Sequence, residues 1–203
     1  MATNKYLCRM SNFENIHAVI QNRRSTKPAD MNGKKIDDNL IKQLLHLADW
    51  APTHARTEPW RFVVFSDGAV QQFCADHAEL YKANTPEDKF ATAKYEGLIH
   101  TADKASHIIA AYMKRIPEAK IPVIEDIAAV AASIQNILLG AEAAGISVLW
   151  STGGMTHQPA MKEYFGLGEE DKMMGLLYLG YTDEPARPGK RAVPLGDKVM
   201  WRC

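Results

Sequence analysis

One segment of this 203-residue chain is apolar on almost every side. The stretch EDIAAVAASIQNILLGAEAAG, residues 125–145, has helical spacing and carries small and aliphatic residues on nearly all faces. Such a helix is stable only where other elements of the fold cover it. We therefore predict that it is the central buried helix and that Gly145 ends it.

Four short runs rich in β-branched and aromatic residues are predicted as strands, and RFVVF is typical of a buried strand. The runs are RFVVF at 61–65, HIIAAYM at 107–113, ISVLW at 146–150 and MMGLLYLGYT at 173–182. Further helices are predicted over residues 11–22, 36–50, 69–83 and 157–167, while no boundaries are assigned within 82–106. This alternation indicates an α/β or α+β layered architecture, with one domain over residues 1–203.

Two proline and capping signals set boundaries near the N-terminus. Ser11 and Glu14 have the spacing of a capping box and predict that the first helix starts at Ser11. The first helix is expected to end near Asn22, and Pro28 disfavours helical backbone at Lys27.

Charge and cysteine usage exclude several classes of protein. Lys+Arg and Asp+Glu are both 24, so the chain has no overall basic field for nucleic acid or an anionic membrane. Cys8, Cys74 and Cys203 are too few and too widely spaced for a disulfide framework, which favours the cytoplasm. The N-terminus lacks the apolar core of a secretory signal, and no apolar run is expected to span a bilayer.

Several common catalytic signatures are missing from the sequence. There is no G-x-G-x-x-G, Walker loop, G-x-S-x-G elbow, H-E-x-x-H or Cys/His zinc spacing. No metal site or catalytic side chain is therefore predicted. If the protein is an enzyme, a cofactor is expected to supply the chemistry.

Polar residues nevertheless cluster at the ends of several predicted elements. RRSTK at 23–27 has the charges and hydroxyls to bind a phosphate, although a solvated helix C-terminus is the commoner explanation. THARTEPW at 53–60 offers His54 and Arg56 to a ligand, whereas we assign Trp60 to the core. Trp150–Gly154, WSTGG, is a tight turn with backbone amides that suit the edge of a flat ring, or an ordinary turn after a strand.

Together and in this order, these segments resemble the FMN-dependent nitroreductase family, in particular its small single-domain branch. The resemblance runs from Ile16 to Leu195, and its most specific parts are NRRS at Asn22, APTHARTEPW at Ala51 and YLGY at Tyr178. It implies an α+β sandwich with a central mixed sheet flanked by helices. It also implies a homodimer with two FMN sites at the interface, each contacted by both subunits.

The resemblance further implies that FMN passes a hydride from NADPH or NADH to a small acceptor such as a nitroaromatic or a quinone. The alternatives are a flavin enzyme of the same fold with another substrate and a flavin-binding dimer without turnover. The tail, residues 182–203, is expected to cross to the partner subunit. The residues implied to contact FMN are Arg23, Arg24, Ser25, Lys27, His54, Arg56, Trp150, Ser151, Thr152, Gly153, Lys190 and Arg191.

Three positions depart from the commoner family pattern. Arg56 and Glu58 stand where Asn and Gln are usual, and Lys27 replaces an Arg, which keeps the charge but loses bidentate geometry. Glu58 near a flavin would oppose formation of an anionic reduced ring unless Arg56 neutralises it.

Overall fold

The computed structural model describes residues 3–116, 118 and 120–202, with side chains from residue 12 onwards. The described chain divides into two compact units. The larger unit, Ser25–Glu184, contains the whole sheet. The smaller unit consists of helix α1 (Thr3–Asn22) and an irregular tail from Pro185 that contains one 3-10 helix, Leu195–Lys198.

Helix α1 is longer than its capping signal indicates. The predicted start at Ser11 is wrong, because helical backbone runs without interruption from Thr3. An N-cap side chain accepts hydrogen bonds from the first backbone amides of a helix, which have no partner in a preceding turn. Ser11 is not an N-cap, because it lies inside α1. Its side chain lies outside the described residues. The predicted end at Asn22 is confirmed, and Lys27 has extended backbone (φ −65°, ψ 145°) before Pro28.

The sheet has four strands in the order β1-β2-β4-β3, and all three neighbouring pairs are antiparallel. The sheet was expected to be mixed; among the described residues its parallel component is a single isolated bridge, Ser25 to Val148. The strands are β1 (Trp60–Ser66), β2 (His107–Met113), β3 (Ser147–Ser151) and β4 (Lys172–Gly180).

Strand β1 is less buried than RFVVF suggests. It is an edge strand, and its Val64 side chain is 40% exposed. The apolar composition identified a strand, but only the strand order decides whether both faces of that strand are covered. The most buried strands are β2 and β4, which lie in the middle of the sheet.

Helices cover both faces of the sheet, so the expected α+β sandwich is confirmed. One core lies between the sheet, α2 and α5, and a second lies between the opposite face, α3 and α6. Alternation along β2 divides its side chains, with Ile109 in the first core and Ile108 in the second. The helices of this unit are α2 (Asp38–Ala48), α3 (Gly68–Ala83), α4 (Thr92–Ile99), α5 (Val123–Ala143) and α6 (Pro159–Tyr164).

Helix α5 is the long apolar helix of the core, as predicted, but it is buried on one face only. Val130, Ile134 and Ile137 are fully buried, whereas Ile124 is 67% exposed. With 21 residues and a mean hydropathy of 1.4, α5 is also long and apolar enough to cross a membrane, contrary to our expectation from the sequence. Its packing against α2 and the sheet, and its buried charged residue Asp126, are typical of the core helix of a globular fold.

Candidate functional site

The WSTGG turn follows β3, an edge strand of the sheet. The N–H of Gly153 donates to Ser151 Oγ at 3.3 Å, and the N–H of Met155 donates to His77 Nε2 at 2.8 Å. Within the described part of the chain, the N–H groups of Thr152 and Gly154 have no hydrogen-bond acceptor. Both residues are exposed, so the turn presents two amide donors to solvent or to a ligand.

His77 of α3 supports this turn from below. Its side chain is only 3% exposed, and burial, with a smaller contribution from the Lys94 charge, lowers the pKa of His77 from 6.5 to about 4. Because Nε2 accepts the Met155 N–H, the neutral ring carries its proton on Nδ1. Gly154 lies directly against this ring: a Cβ on Gly154, whose φ is +65°, would come within 2.5 Å of His77 Nε2.

The Trp150 side chain packs against strand β4 of the sheet. Its indole Nε1 donates to the carbonyl of Met174 at 2.9 Å. A register shift in the β2–β4 pairing leaves Met174 without a partner, as in a β-bulge. Gly175 leaves room for the indole, because a Cβ there would lie 2.2 Å from Trp150 Nε1. Of the residues implied on this strand, Trp150 therefore fixes the strand end, while the turn that follows is exposed.

The residues Ser25 and Lys27 lie beside the same strand end. Ser25 forms a parallel bridge with Val148, and the Thr26 N–H donates to the Val148 carbonyl at 3.2 Å. Because the bridge is parallel, the chain leaves Ser25 in the direction in which β3 runs towards Ser151. Both Ser25 and Lys27 are exposed. Two segments implied to contact FMN, about 120 residues apart in sequence, thus meet on one sheet edge.

The smaller unit contains four of the predicted basic residues, Arg23, Arg24, Lys190 and Arg191. Arg24 donates to backbone carbonyls, from Nε to Arg187 at 2.9 Å and from Nη1 to Gln21 at 2.6 Å. Its guanidinium therefore joins the end of α1 to the tail. Arg24 and Arg191 line a depression of about 340 Å³ in this unit, while Lys190 is exposed nearby in sequence and Arg23 is half-buried.

The THAR segment forms a 3-10 helix, His54–Arg56, before β1. Ala55, Arg56 and Glu58 all have φ between 41° and 54°, which non-glycine residues rarely adopt. Such a concentration of left-handed backbone persists only where the surroundings determine it, and it is commoner at functional sites.

A buried polar network holds this loop. The Thr57 hydroxyl donates to Asp126 Oδ1 at 2.9 Å, and Arg115 Nη1 donates to Asp126 Oδ2 at 2.5 Å. Asp126 is 0% exposed. Trp60 lies in the core, as assigned, and its Nε1 donates to Asp49 Oδ1 at 2.9 Å.

His54, Arg56 and Glu58 are all exposed around this loop. His54 Nδ1 pairs with the carboxylate of Glu125 in the first turn of α5. Within the described residues, neither Arg56 nor Glu58 forms an ion pair, so Arg56 does not neutralise Glu58. Within the described residues, Arg56 therefore does not offset the negative charge that Glu58 would place beside a reduced flavin.

The THAR loop and the WSTGG turn lie towards the same end of the sheet but at opposite edges. Trp60, which follows the loop, pairs with Met113, whereas Ser151, which precedes the turn, pairs with Leu176. Strands β2 and β4 lie between them, so three strand spacings, about 14 Å, separate the two edges. The sheet does not bring these two segments together within one chain.

Comparison with known proteins agrees with this architecture. A model of the nitroreductase family matches residues 20–181, which include the sheet, the THAR loop and the WSTGG turn. The chain belongs to the nitroreductase family. The resemblance given by NRRS, APTHARTEPW and YLGY is thereby confirmed, and with it the class of oxidoreductase.

Individual members of the family match over most of their length. The Bacillus subtilis protein named "Putative NAD(P)H nitroreductase YfhC" is 26% identical over 89% of this chain and 90% of its own. The crystal structure of a nitroreductase-like family protein from Bacillus cereus has 29% identity and a TM-score of 0.79, covering 92% of this chain and 95% of that one. A nitroreductase from Desulfovibrio desulfuricans, described in complex with FMN, has 22% identity and a TM-score of 0.67, covering 93% and 96%.

The sequence analysis did not identify the residues that hold the WSTGG turn and the THAR loop in place. It gave no role to His77, Glu125, Asp126 or Arg115. A charged residue inside the most apolar helix was the available signal for Asp126, because such groups are almost never buried unless paired. No local pattern connects His77 with Met155, which is 78 residues away.

Proposed function

We propose that this nitroreductase-family chain is a cytoplasmic FMN-dependent oxidoreductase that uses NADPH or NADH to reduce a small acceptor, such as a nitroaromatic or a quinone. The observation that carries the proposal is the exposed turn after β3, with two amide N–H donors at Thr152 and Gly154. The name of the Bacillus subtilis relative and the FMN complex of the Desulfovibrio protein support it. The sparse cysteines favour the cytoplasm.

The residues on the β3 edge fit the edge of a flavin ring, which offers nitrogen and oxygen acceptors. Amide donors in the turn and the side chains of Ser25 and Lys27 would hydrogen-bond that edge, and Gly153 leaves the approach open. When bound, FMN supplies the electron-transfer chemistry, so the chain needs no nucleophile or acid–base pair. The protein binds and orients the ring and keeps one face accessible to the donor and acceptor.

The basic residues of the smaller unit fit the FMN phosphate. Arg23, Lys190 and Arg191 are proposed to bind it, since guanidinium and ammonium groups form charge-assisted hydrogen bonds with phosphate oxygens. Arg24 already donates to carbonyls of Gln21 and Arg187. We therefore assign Arg24 mainly to holding the tail beside the end of α1.

The separation of the THAR loop from the WSTGG turn favours a homodimer. If both segments contact one flavin, as the family resemblance implies, the second must come from another copy of the chain, because about 14 Å of sheet lies between them. His54 and Arg56 would then contact the flavin held on the β3 edge of the partner subunit. The whole chain, residues 1–203, would act as one FMN-binding domain.

Exposed apolar side chains support the same assembly. Phe13 and Ile20 of α1 are 67% and 51% exposed, and Trp201 in the tail is 86% exposed. Covering such side chains with a partner subunit removes apolar surface from water, which favours association. We propose that the partner covers these residues and the outer face of α5. A mass of one chain in light scattering at micromolar concentration, with FMN still bound, would contradict the shared site.

The cofactor is tested by releasing it from the purified protein with heat and identifying it by chromatography. FMN is expected. Release of FAD, or failure of FMN to bind in calorimetry, would show that the cofactor assignment is wrong.

Electron transfer is tested by anaerobic addition of NADPH or NADH in stopped-flow absorbance. The proposal predicts that one of them bleaches the visible flavin band and that a nitroaromatic or a quinone restores it. Reduction by dithionite but by neither nicotinamide within minutes would instead indicate a flavin-binding dimer without turnover. Glu58→Gln is expected to accelerate reduction if its unpaired carboxylate faces the ring.

A further inference from the structure

A cavity of about 670 Å³ opens beside the WSTGG turn. Gly154 and Met155 form part of its wall, and Lys89 and Lys94 line it from the loop that precedes α4 and from α4 itself. Its volume is in the range of small-molecule sites. The cavity therefore shares a wall with the turn whose free amides define the proposed flavin site.

Tyr81 fixes the position of the two lysines. The Tyr81 side chain is 4% exposed, and its hydroxyl accepts the N–H of Ala91 at 3.0 Å. Ala91 lies between Lys89 and Lys94 in the sequence. The Lys94 ammonium lies 4.5 Å from the centre of the Tyr81 ring, a cation–π distance. The chain from Lys89 to Lys94 thus curves around a buried aromatic side chain, and both ammonium-bearing residues border the cavity.

The cavity has a positive charge balance. Two lysines and no acidic residue line it, and neither lysine forms an ion pair within the described chain. Glu87 and Asp88 adjoin Lys89 in sequence but do not line the cavity. The influence of Lys94 reaches His77 beneath the turn, where it helps to keep the imidazole neutral.

We propose that this cavity binds the negatively charged group, a carboxylate or a phosphate, of the molecule that exchanges electrons at the flavin site. This inference rests on the proposed function, because the cavity matters for turnover only if the turn holds the flavin. An anion held by Lys89 and Lys94 would place the remainder of the same molecule beside Gly154. The charged group has two sources: an acidic electron acceptor, or the phosphates of the nicotinamide donor.

The test measures equilibrium binding by calorimetry to the oxidised, FMN-loaded protein, in which no turnover occurs. The ligands are 4-nitrobenzoate, its neutral isostere 4-nitrobenzamide, and NADP⁺. Lys89→Ala and Lys94→Ala are compared with Lys82→Ala, a matched loss of charge on the neighbouring helix α3 that does not line the cavity. Lys94→Arg retains the charge.

Each cavity variant should weaken binding of an anionic ligand by roughly 3- to 10-fold, the range between an exposed ion pair and a charge-assisted hydrogen bond. Binding of 4-nitrobenzamide should not change, and Lys82→Ala should bind every ligand like the wild type. A loss confined to 4-nitrobenzoate identifies an acidic acceptor, whereas a loss confined to NADP⁺ identifies the phosphates of the donor.

The inference is overturned if neither 4-nitrobenzoate nor NADP⁺ binds. It is also overturned if the cavity variants weaken binding of all three ligands equally, or if their affinities equal those of Lys82→Ala. These outcomes are independent of the proposed function. Failure of FMN loading or of flavin reduction would refute that function, whereas charge-independent binding by a protein with reducible FMN would refute only the role of the cavity.

Discussion

The neutral state of His77 makes the stability of this protein depend on pH in a defined direction. In the folded chain the pKa of His77 falls from 6.5 to about 4, chiefly because the ring is buried, and its Nε2 accepts the Met155 N–H. The unfolded chain takes up a proton near the ordinary value, whereas the folded chain does not. His77 therefore favours folding fully above pH 6.5, and this contribution is lost as the pH falls towards 4.

The size of the effect follows from the shift. At about 1.4 kcal/mol per pKa unit, the loss is about 3 kcal/mol in total, of which about 2 kcal/mol falls between pH 7 and pH 5. The measurement is the free energy of unfolding from urea titrations at both pH values. His77→Gln is the matched variant, because its amide oxygen can still accept the Met155 N–H but does not titrate in this range.

The wild type should lose about 2 kcal/mol more than His77→Gln between pH 7 and pH 5. All other titrating groups are common to the two proteins, so the difference between their slopes isolates His77. Equal slopes would refute the buried neutral imidazole. Nitrogen NMR shifts at pH 7 should also show the proton on Nδ1, and a proton on Nε2 would contradict the hydrogen bond from Met155.

Three substitutions test other parts of the site, the first two against a neighbouring control. Gly154→Ala should cost roughly 1–3 kcal/mol of stability and weaken FMN binding, because its Cβ would meet His77 at 2.5 Å and its φ is +65°. Gly153→Ala, with 3.7 Å to the nearest atom, should lower the free energy of unfolding much less in urea titrations, and equal losses would contradict the contact between Gly154 and His77. Asp126→Asn should lower the free energy of unfolding by about 3–5 kcal/mol, because the substitution leaves Arg115 without its buried carboxylate partner. Glu125→Gln, one residue earlier and partly exposed, should change the free energy of unfolding by less than about 1 kcal/mol. Similar losses in the two variants would contradict the buried network. Gly175→Ala should displace the Trp150 indole, because the added Cβ would overlap it. The displacement should shift the tryptophan fluorescence and lower the melting temperature. An unchanged spectrum would show that the indole is not held against β4.

Local patterns in the sequence were sufficient to locate most elements. HIIAAYM predicted β2 with its observed bounds, and the apolar stretch 125–145 predicted α5 to within two residues. Both depend on side-chain periodicity and on a stop signal, which act over a few residues. Trp60 was likewise placed in the core from its position at the start of a strand. Family motifs in order along the chain were enough to indicate the nitroreductase family, which the family match confirms.

Tertiary structure alone decided the features that depend on partners distant in sequence. The exposure of β1, the fit of Trp150 against Gly175 and the pairing of His54 with Glu125 all follow from strand order and helix packing. The implied flavin contacts remain a prediction, and the structure shows why sequence could not complete it. Their segments are distant in sequence, and two of them, the THAR loop and the WSTGG turn, lie on opposite edges of the sheet, which no local pattern encodes.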